Sequence, residues 1–380
     1  MTTTSATNRN PPAAKVFANV VLREDMEYIR ARVEKVNQFE GATILITGAA
    51  GFLGFSFCHF FYHLMEQGVG IRSLILLDRF MFGRPAWLDA LAAADPRVQI
   101  HHFDIAADDI KTVPAAQKAD YVLHMASIAS PIFYRQHPLE TLDANIWGLR
   151  HLLDFYRGTP LKGLLFFSSS EIYGDPPPDK IPTAEDFRGN VSCLGPRACY
   201  DEAKRFGETL CYVFATKHGL PVRMVRPFNN YGPGMSLNDQ RVPADFAKNV
   251  LNKQDLVLLS TGVPTRTFCY VADAVVGYLK ILLHDQFDVF NIGIDRPEIS
   301  VLQLAELYQR AGRKIMSYEG QVVRKVSPDK EYLTNNPERR CPDLSKARSL
   351  LNFQPGILVP EGVERFLKFL WLEHQKSASP

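Results

Sequence analysis

The stretch that most constrains the fold runs from Thr43 to Met65. Thr43-Ile44-Leu45-Ile46-Thr47 is a short β-rich run, Gly48-Ala49-Ala50-Gly51-Phe52-Leu53-Gly54 spaces glycines three apart, and an apolar-periodic helix follows through Met65. Strand, glycine turn and helix in this order allow a tight turn and close approach of backbone to a pyrophosphate. They also allow close packing of helix on strand, with the phosphates at the positive end of the helix. Gly48, Gly51, Phe52, Leu53 and Gly54 are therefore candidate cofactor contacts.

A glycine pattern alone carries little weight, and its surroundings decide the matter. Ser73-Leu74-Ile75-Leu76-Leu77-Asp78 reads as a second strand ending in an acid 24 residues after Gly54. At that spacing the carboxylate accepts hydrogen bonds from an adenosine ribose and repels a 2′-phosphate, which favours NAD over NADP. Arg79 stands ready to soften that preference. The alternation continues with a third strand from Val98 to Asp104, followed by Ile105, and a fourth from Tyr121 to Ser127 that carries Met125 and Ala126 at its end. A helix from about Pro138 to Phe155 leads to Leu164-Leu165-Phe166-Phe167-Ser168-Ser169-Ser170, a buried strand that stops in hydroxyls, and Pro221 to Arg226 is a further strand. Ligands collect at strand carboxyl ends in such sheets, which adds Asp78, Asp104, Ile105, Met125 and Ala126 to the cofactor candidates.

These elements predict an α/β chain with a Rossmann-type doubly wound parallel sheet and a smaller mixed C-terminal substrate lobe. Residues 41–225 are expected to form mainly the dinucleotide domain and 226–380 mainly the lobe, with some segments returning to the sheet. Val289 to Gly293 and a helix from Val301 to Ala311 read as lobe. Residues 1–40 form an extension, disordered to about residue 15 and then an amphipathic helix from Val20 to Val36 that covers a sheet edge or a subunit contact.

Composition excludes other classes. With 46% hydrophobic residues, 22% charged and a net charge of +2, the 380-residue chain is an ordinary globular protein without the basic footprint of a nucleic-acid binder. Six scattered cysteines form no Cys-x-x-Cys pair, so neither a metal site nor a disulfide framework is expected. His101 and His102 lack ligand partners at suitable spacing and read as exposed strand-end residues. No apolar run approaches the ~20 residues of a membrane span, and a cytoplasmic setting is expected.

The chemistry centres on Tyr200 and Lys204, four residues apart at the start of a helix, so one face carries both. A phenol titrates near ~10 when unperturbed. A neighbouring cation stabilises the phenolate and brings the group into range as a base. Taken alone, the pair is equally a ring packed on the core beside a snorkelling lysine.

Together TGAAGFLG, Asp78, Asp104, the Ser-rich strand end and Tyr200-x-x-x-Lys204 resemble the extended short-chain dehydrogenase/reductases that act on nucleotide sugars. Within that group HMASIASPIFYRQHP (124–138), SSSEIYGDP (168–176), GPRACYDEAKR (195–205), RPFNNYGP (226–233) and TRTFCYVAD (265–273) look most like the UDP-glucuronate decarboxylases. The resemblance covers roughly residues 41–370. It implies NAD, a UDP-sugar substrate, and a homodimer built on a four-helix bundle from the helices near Pro138 and Tyr200. Ser170 before Glu171, where the related 4,6-dehydratases carry Asp-Glu, is similar to the decarboxylases and argues against dehydration.

By this resemblance Tyr200 takes the C4 hydroxyl proton, Lys204 lowers the phenol pKa, and Ser169 holds the reacting oxygen. Glu171 and Arg340 orient the sugar and handle water and proton transfer at C5. Ser130, Tyr134, Asn229, Arg241, Arg266 and Arg340 contact substrate, and forked guanidiniums suit a diphosphate. A nucleotide-sugar 4-epimerase uses the same oxidation and is the alternative, followed by a catalytically silent NAD-binding protein. The chain departs from the family pattern at Asn335-Asn336-Pro337, where Asp-Asp-Pro is usual. It departs again at Pro264, where glutamine is usual, and in Ser260 to Val263, which lack one glycine.

Overall fold

The computed structural model describes residues 16–327, 334 and 337–378, so the expectation for residues 1–15 and the Asn335-Asn336 departure lie outside the described residues. The chain opens with α1 (Val20–Arg32) and then alternates β1 (Thr43–Thr47), α2 (Phe52–Glu66), β2 (Ser73–Asp78), β3 (Val98–His102) and β4 (Tyr121–His124). Two short helices, α3 (Pro138–Asp143) and α4 (Leu149–Tyr156), lead to β5 (Gly163–Phe167), followed by α5 (Ala198–His218) and β6 (Val222–Pro227). After α6 (Val271–Leu282) come β7 (Val289–Ile292) and the C-terminal α7 (Val359–Ala378).

These seven strands form one parallel sheet in the order β7-β6-β5-β4-β1-β2-β3. The order reverses between β1 and β4, and the crevice at their carboxyl ends is where a doubly wound sheet holds its ligand. Alternate residues of each strand enter different cores. Ile44, Ile46, Leu74, Leu76, Leu165 and Phe167 pack with Phe57, Phe60 and Phe61 of α2 and with Val275 and Leu279 of α6. Leu45, Ile75, Leu77, Leu164 and Phe166 pack with Leu152 and Leu153 of α4 and Phe214 of α5. Burial on both faces explains why the strands read as continuous apolar runs.

The structure corrects several expectations. The helix expected from Pro138 to Phe155 is present and runs unbroken to Tyr156, with one widened π-helical turn at Ala144–Gly148 joining α3 to α4. Gly148 seats that turn against Ile105, whose Cγ2 would stand 2.7 Å from an added Cβ. Val289 to Gly293 is not lobe, because β7 pairs with β6 at the edge of the main sheet. The helix beginning at Val301 runs on to Met316. His102 is exposed, whereas His101 is half-buried beside β2, and among the described residues no cluster could hold a metal.

α1 packs on α2, α6 and α7 rather than on a sheet edge. Tyr270 Oη donates to Asp25 Oδ2 at 2.6 Å, Arg365 Nη1 donates to Asp25 Oδ1 at 2.9 Å, and Tyr28 Oη donates to Asp273 Oδ1 at 2.5 Å. The lobe contains small paired segments, including Thr265–Arg266 between Ile299–Ser300 and Arg339–Arg340. That pairing carries Arg340 back to the end of β5. Among the described residues no helix is long and apolar enough to cross a membrane.

Candidate active site

A cleft of about 660 Å³ follows the carboxyl ends of β1, β2, β4 and β5 and is closed on its far side by the lobe. Its floor is the glycine turn. Gly48 has φ +71, and a Cβ there would lie 2.8 Å from Ala126 N. Gly54 would place a Cβ 2.2 Å from Ala49 O, so α2 could not lie so close to β1 with any side chain at that position. Gly51 caps α2 without a side-chain hydrogen bond, which leaves the helix end open to an anion.

Asp78 stands at the end of β2, where Oδ2 accepts from Ala50 N at 3.0 Å and Oδ1 from Phe80 N at 2.7 Å. Burial raises its pKa against those two bonds. Arg79 turns to Asp104 at 3.4 Å instead of neutralising Asp78. Phe52, Leu53, Ile105, Met125 and Ala126 also line the cleft. A cradle that only glycine permits, an open helix end and an acid at the next strand together fit an NAD pyrophosphate and ribose.

Tyr200 enters from the first turn of α5 with Lys204 one turn further on, and both are buried. Lys204 Nζ donates to Phe167 O at 2.7 Å and lies 5.7 Å from the centre of the Tyr200 ring. Burial pushes Lys204 down to about 7. Burial pushes Tyr200 up to about 12, and the groups that pull it back are the Ser169 hydroxyl and Arg241. Ser169 caps a short turn at Ser170–Tyr173 by accepting from Glu171 N at 3.2 Å, which aims the following carboxylate.

That carboxylate is clamped from two sides, with Arg340 Nη1 donating to Glu171 Oε1 and Arg197 Nη2 to Oε2. Arg340 also reaches Ser170 Oγ at 3.4 Å and Gly174 O at 3.2 Å. Burial would raise Glu171, but Arg340 and Arg197 outweigh it and hold the group at about 2. It is therefore an anion at neutral pH and cannot itself deliver a proton.

Arg197 was missed by sequence reasoning, as was Asp201, whose Oδ2 accepts from Arg197 Nε at 3.4 Å. The available signal was spacing, since Arg197 is three residues before Tyr200 and four before Asp201 on the same helix face. His124 was also passed over. It is buried at the end of β4 against Thr47 Oγ1 at 2.8 Å, and burial and then Lys204 push it down to about 3, so it is neutral.

The other substrate candidates gather here too. The Tyr134 and Tyr200 rings stack 5.1 Å apart at 10°, and Tyr134 Oη is buried without a partner. Ser130 Oγ donates to Asp239 O at 2.7 Å, so it braces the loop before Arg241. Arg241 is forked on Asp239, with Nη2 to Oδ2 at 2.8 Å. Asn229, at φ +41, donates to Thr267 O at 3.0 Å. Arg266 donates to Thr265 O at 2.7 Å, and burial and then Arg340 lower it to about 10, so it keeps its charge at neutral pH. Tyr134, Asn229, Arg241, Arg266 and Arg340 line the cleft, as does Pro264.

Comparison with known proteins bears on the family and the fold. Residues 44–293 match the NAD dependent epimerase/dehydratase family. UDP-glucuronic acid decarboxylase 6 of Arabidopsis thaliana is 33% identical over 84% of this chain and 86% of its own. UDP-glucuronic acid decarboxylase 1 of Xenopus tropicalis is 32% identical over 90% and 76%. Among solved structures, the UDP-glucose 4-epimerase of Thermotoga maritima with UDP-glucose superposes with a TM-score of 0.74 at 25% identity, covering 89% of this chain and all of the other (100%). The UDP-glucuronic acid 4-epimerase of Bacillus cereus, in complex with UDP-glucuronic acid and NAD, gives 0.71 at 24% identity and shares the fold over 87% and 99%.

Proposed function

The chain belongs to the NAD dependent epimerase/dehydratase family, and from that premise we propose that it converts UDP-glucuronate into UDP-xylose with loss of CO2. The observation that carries this reading is Glu171 clamped between Arg197 and Arg340 beside Tyr200. Two guanidiniums against one carboxylate leave a positive charge that draws a uronate carboxylate, and Ser170 puts no acid where a dehydration would need one.

A bound nicotinamide supplies a store for the C4 hydride and later returns it. The side chains do the rest. Tyr200 acts in its phenolate form, which burial disfavours and which Ser169, Arg241 and the positive charge of an oxidised nicotinamide would favour, and accepts the C4 hydroxyl proton while Ser169 holds the same oxygen. The C4 ketone stands β to the carboxylate, so the C5–C6 bond breaks with its electron pair passing into the ketone as an enolate, and CO2 leaves. Protonated Tyr200 stabilises the enolate oxygen. C5 takes a proton from a water that ionised Glu171 holds by accepting its other hydrogen bond, and the hydroxide left behind takes a proton from solvent, so the decarboxylation consumes one proton in all. Tyr200 gives its proton back to the C4 oxygen at the end, and the net change is redox-neutral. Arg241 and Arg266 suit the diphosphate, and Tyr134 and Asn229 suit the sugar side.

The test is product identification by mass after incubation with UDP-glucuronate, with Tyr200→Phe as control. A UDP-pentose from wild type only supports the reading, and a UDP-hexuronate isomer without CO2 replaces it with 4-epimerisation.

The assembly belongs to the same proposal. The neighbouring α3, α4 and α5 region exposes Leu139, Trp147, Phe206, Tyr212 and Val213. A homodimer burying this face as a four-helix bundle accounts for their exposure. Sedimentation is expected at twice 42.8 kDa, and Trp147→Glu with Phe206→Glu is expected to yield monomer. All six cysteines are free thiols, which suits a reducing compartment such as the cytoplasm.

A further inference from the structure

The cluster has a fourth member that the decarboxylation scheme leaves unused. Asp201 is buried one helical turn after Arg197. Its Oδ2 makes only the 3.4 Å contact with Arg197 Nε, and its Oδ1 is buried without a partner. Arg197 is thus shared, giving Nη2 to Glu171 and Nε to Asp201. Arg340, Glu171, Arg197 and Asp201 form a chain that carries one net positive charge when Asp201 is protonated and none when it is ionised.

We propose that Asp201 is a positioning residue that sets, through Arg197, how strongly the site attracts the carboxylate of its sugar substrate. This rests on the uronate reading above and explains a requirement of it. A carboxylate that must depart as CO2 is best drawn in without being gripped, because an interaction lost before the transition state raises the barrier. A guanidinium already divided between two carboxylates meets that requirement.

Burial and then Glu171 push Asp201 up to about 7, against Arg197 and Arg340, so the charge of the chain changes across neutrality. The groups facing it do not change there. Glu171 stays ionised and Arg197 stays cationic. Burial keeps Tyr134 and Cys199 neutral, and Tyr200 is phenylalanine in the background used for the test. Lys204, whose Nζ donates to Phe167 O, titrates in the same range and also attracts a carboxylate, so the part of any pH dependence that survives without Asp201 belongs to it.

The experiment measures binding of UDP-glucuronate and of UDP-glucose to NAD-loaded protein by calorimetry between about pH 6 and about pH 8.5, in a Tyr200→Phe background that leaves substrate intact. With Asp201 present, the ratio of the two affinities is expected to fall about tenfold as pH rises. Most of that slope is expected to be lost in Asp201→Asn and regained in Asp201→Glu. Asp201→Ser, equally unable to ionise, serves if the amide is not accommodated. A flat ratio with Asp201 present, or the same slope without it, overturns the inference while leaving decarboxylation standing. No preference for UDP-glucuronate at any pH overturns the uronate reading itself.

Discussion

Glu171 shows how a residue can be legible in type while its partners are not. Its place after Ser168, Ser169 and Ser170 marks it for the site. Its two guanidinium partners come from the N-terminal end of α5 and from a lobe strand, and no local spacing around Glu171 encodes that meeting. The same holds for Tyr200, whose pairing with Lys204 was evident, whereas the burial that pushes the phenol up to about 12 depends on what packs over it. Glu171→Gln removes the charge between two buried guanidiniums and is expected to lower stability by about 3–5 kcal/mol in urea unfolding. Glu171 is held at about 2, below its ordinary 4.5. Its stabilisation is therefore complete above 4.5 and lost as pH falls through about 2, so the gap between wild type and Glu171→Gln is expected to close in acid. Tyr200→Phe is expected to lower turnover by about a thousandfold while retaining NAD, read as nucleotide released on denaturation.

At the scale of elements, β1, the glycine turn and β2 were legible to the residue, because a buried parallel strand needs a continuous apolar run and the turn needs its glycines. Gly54→Ala tests that necessity. Its Cβ would meet Ala49 O at 2.2 Å, so α2 must lift from β1, and a loss of about 1–3 kcal/mol together with weaker NAD binding is expected. What was not legible depends on distant partners. The widened π-helical turn between α3 and α4 sets Gly148 against Ile105, and α1 is placed by Tyr270, Asp273 and Arg365, all more than two hundred residues away in the chain. The α1 clasp carries a pH signature. Burial pushes Asp25 up to about 7 despite Tyr270 and Arg365. A raised carboxylate contributes stability that is fully present below its unfolded value near 3.8 and is lost as pH rises through about 7. Asp25→Asn, which cannot ionise, is expected to gain on wild type in unfolding midpoint from pH 4 to 7 and to stop gaining above about 8.

For the whole molecule, the order of strands brings the ends of β1, β2, β4 and β5 to one crevice, and the lobe returns Arg340 to it across a separation of 169 residues from Glu171. The doubly wound sheet was legible from alternation alone. The return of β7 to that sheet was not, since a short apolar run after a lobe segment looks the same in either place. The central claim is that this assembly oxidises C4 so that C6 can leave, and UDP-glucuronate labelled at C6 tests it most directly. Decarboxylation predicts that the label is recovered as CO2 and disappears from the nucleotide sugar, and that Tyr200→Phe releases none. Label retained in a nucleotide-linked uronate, while C4 changes configuration, would contradict it.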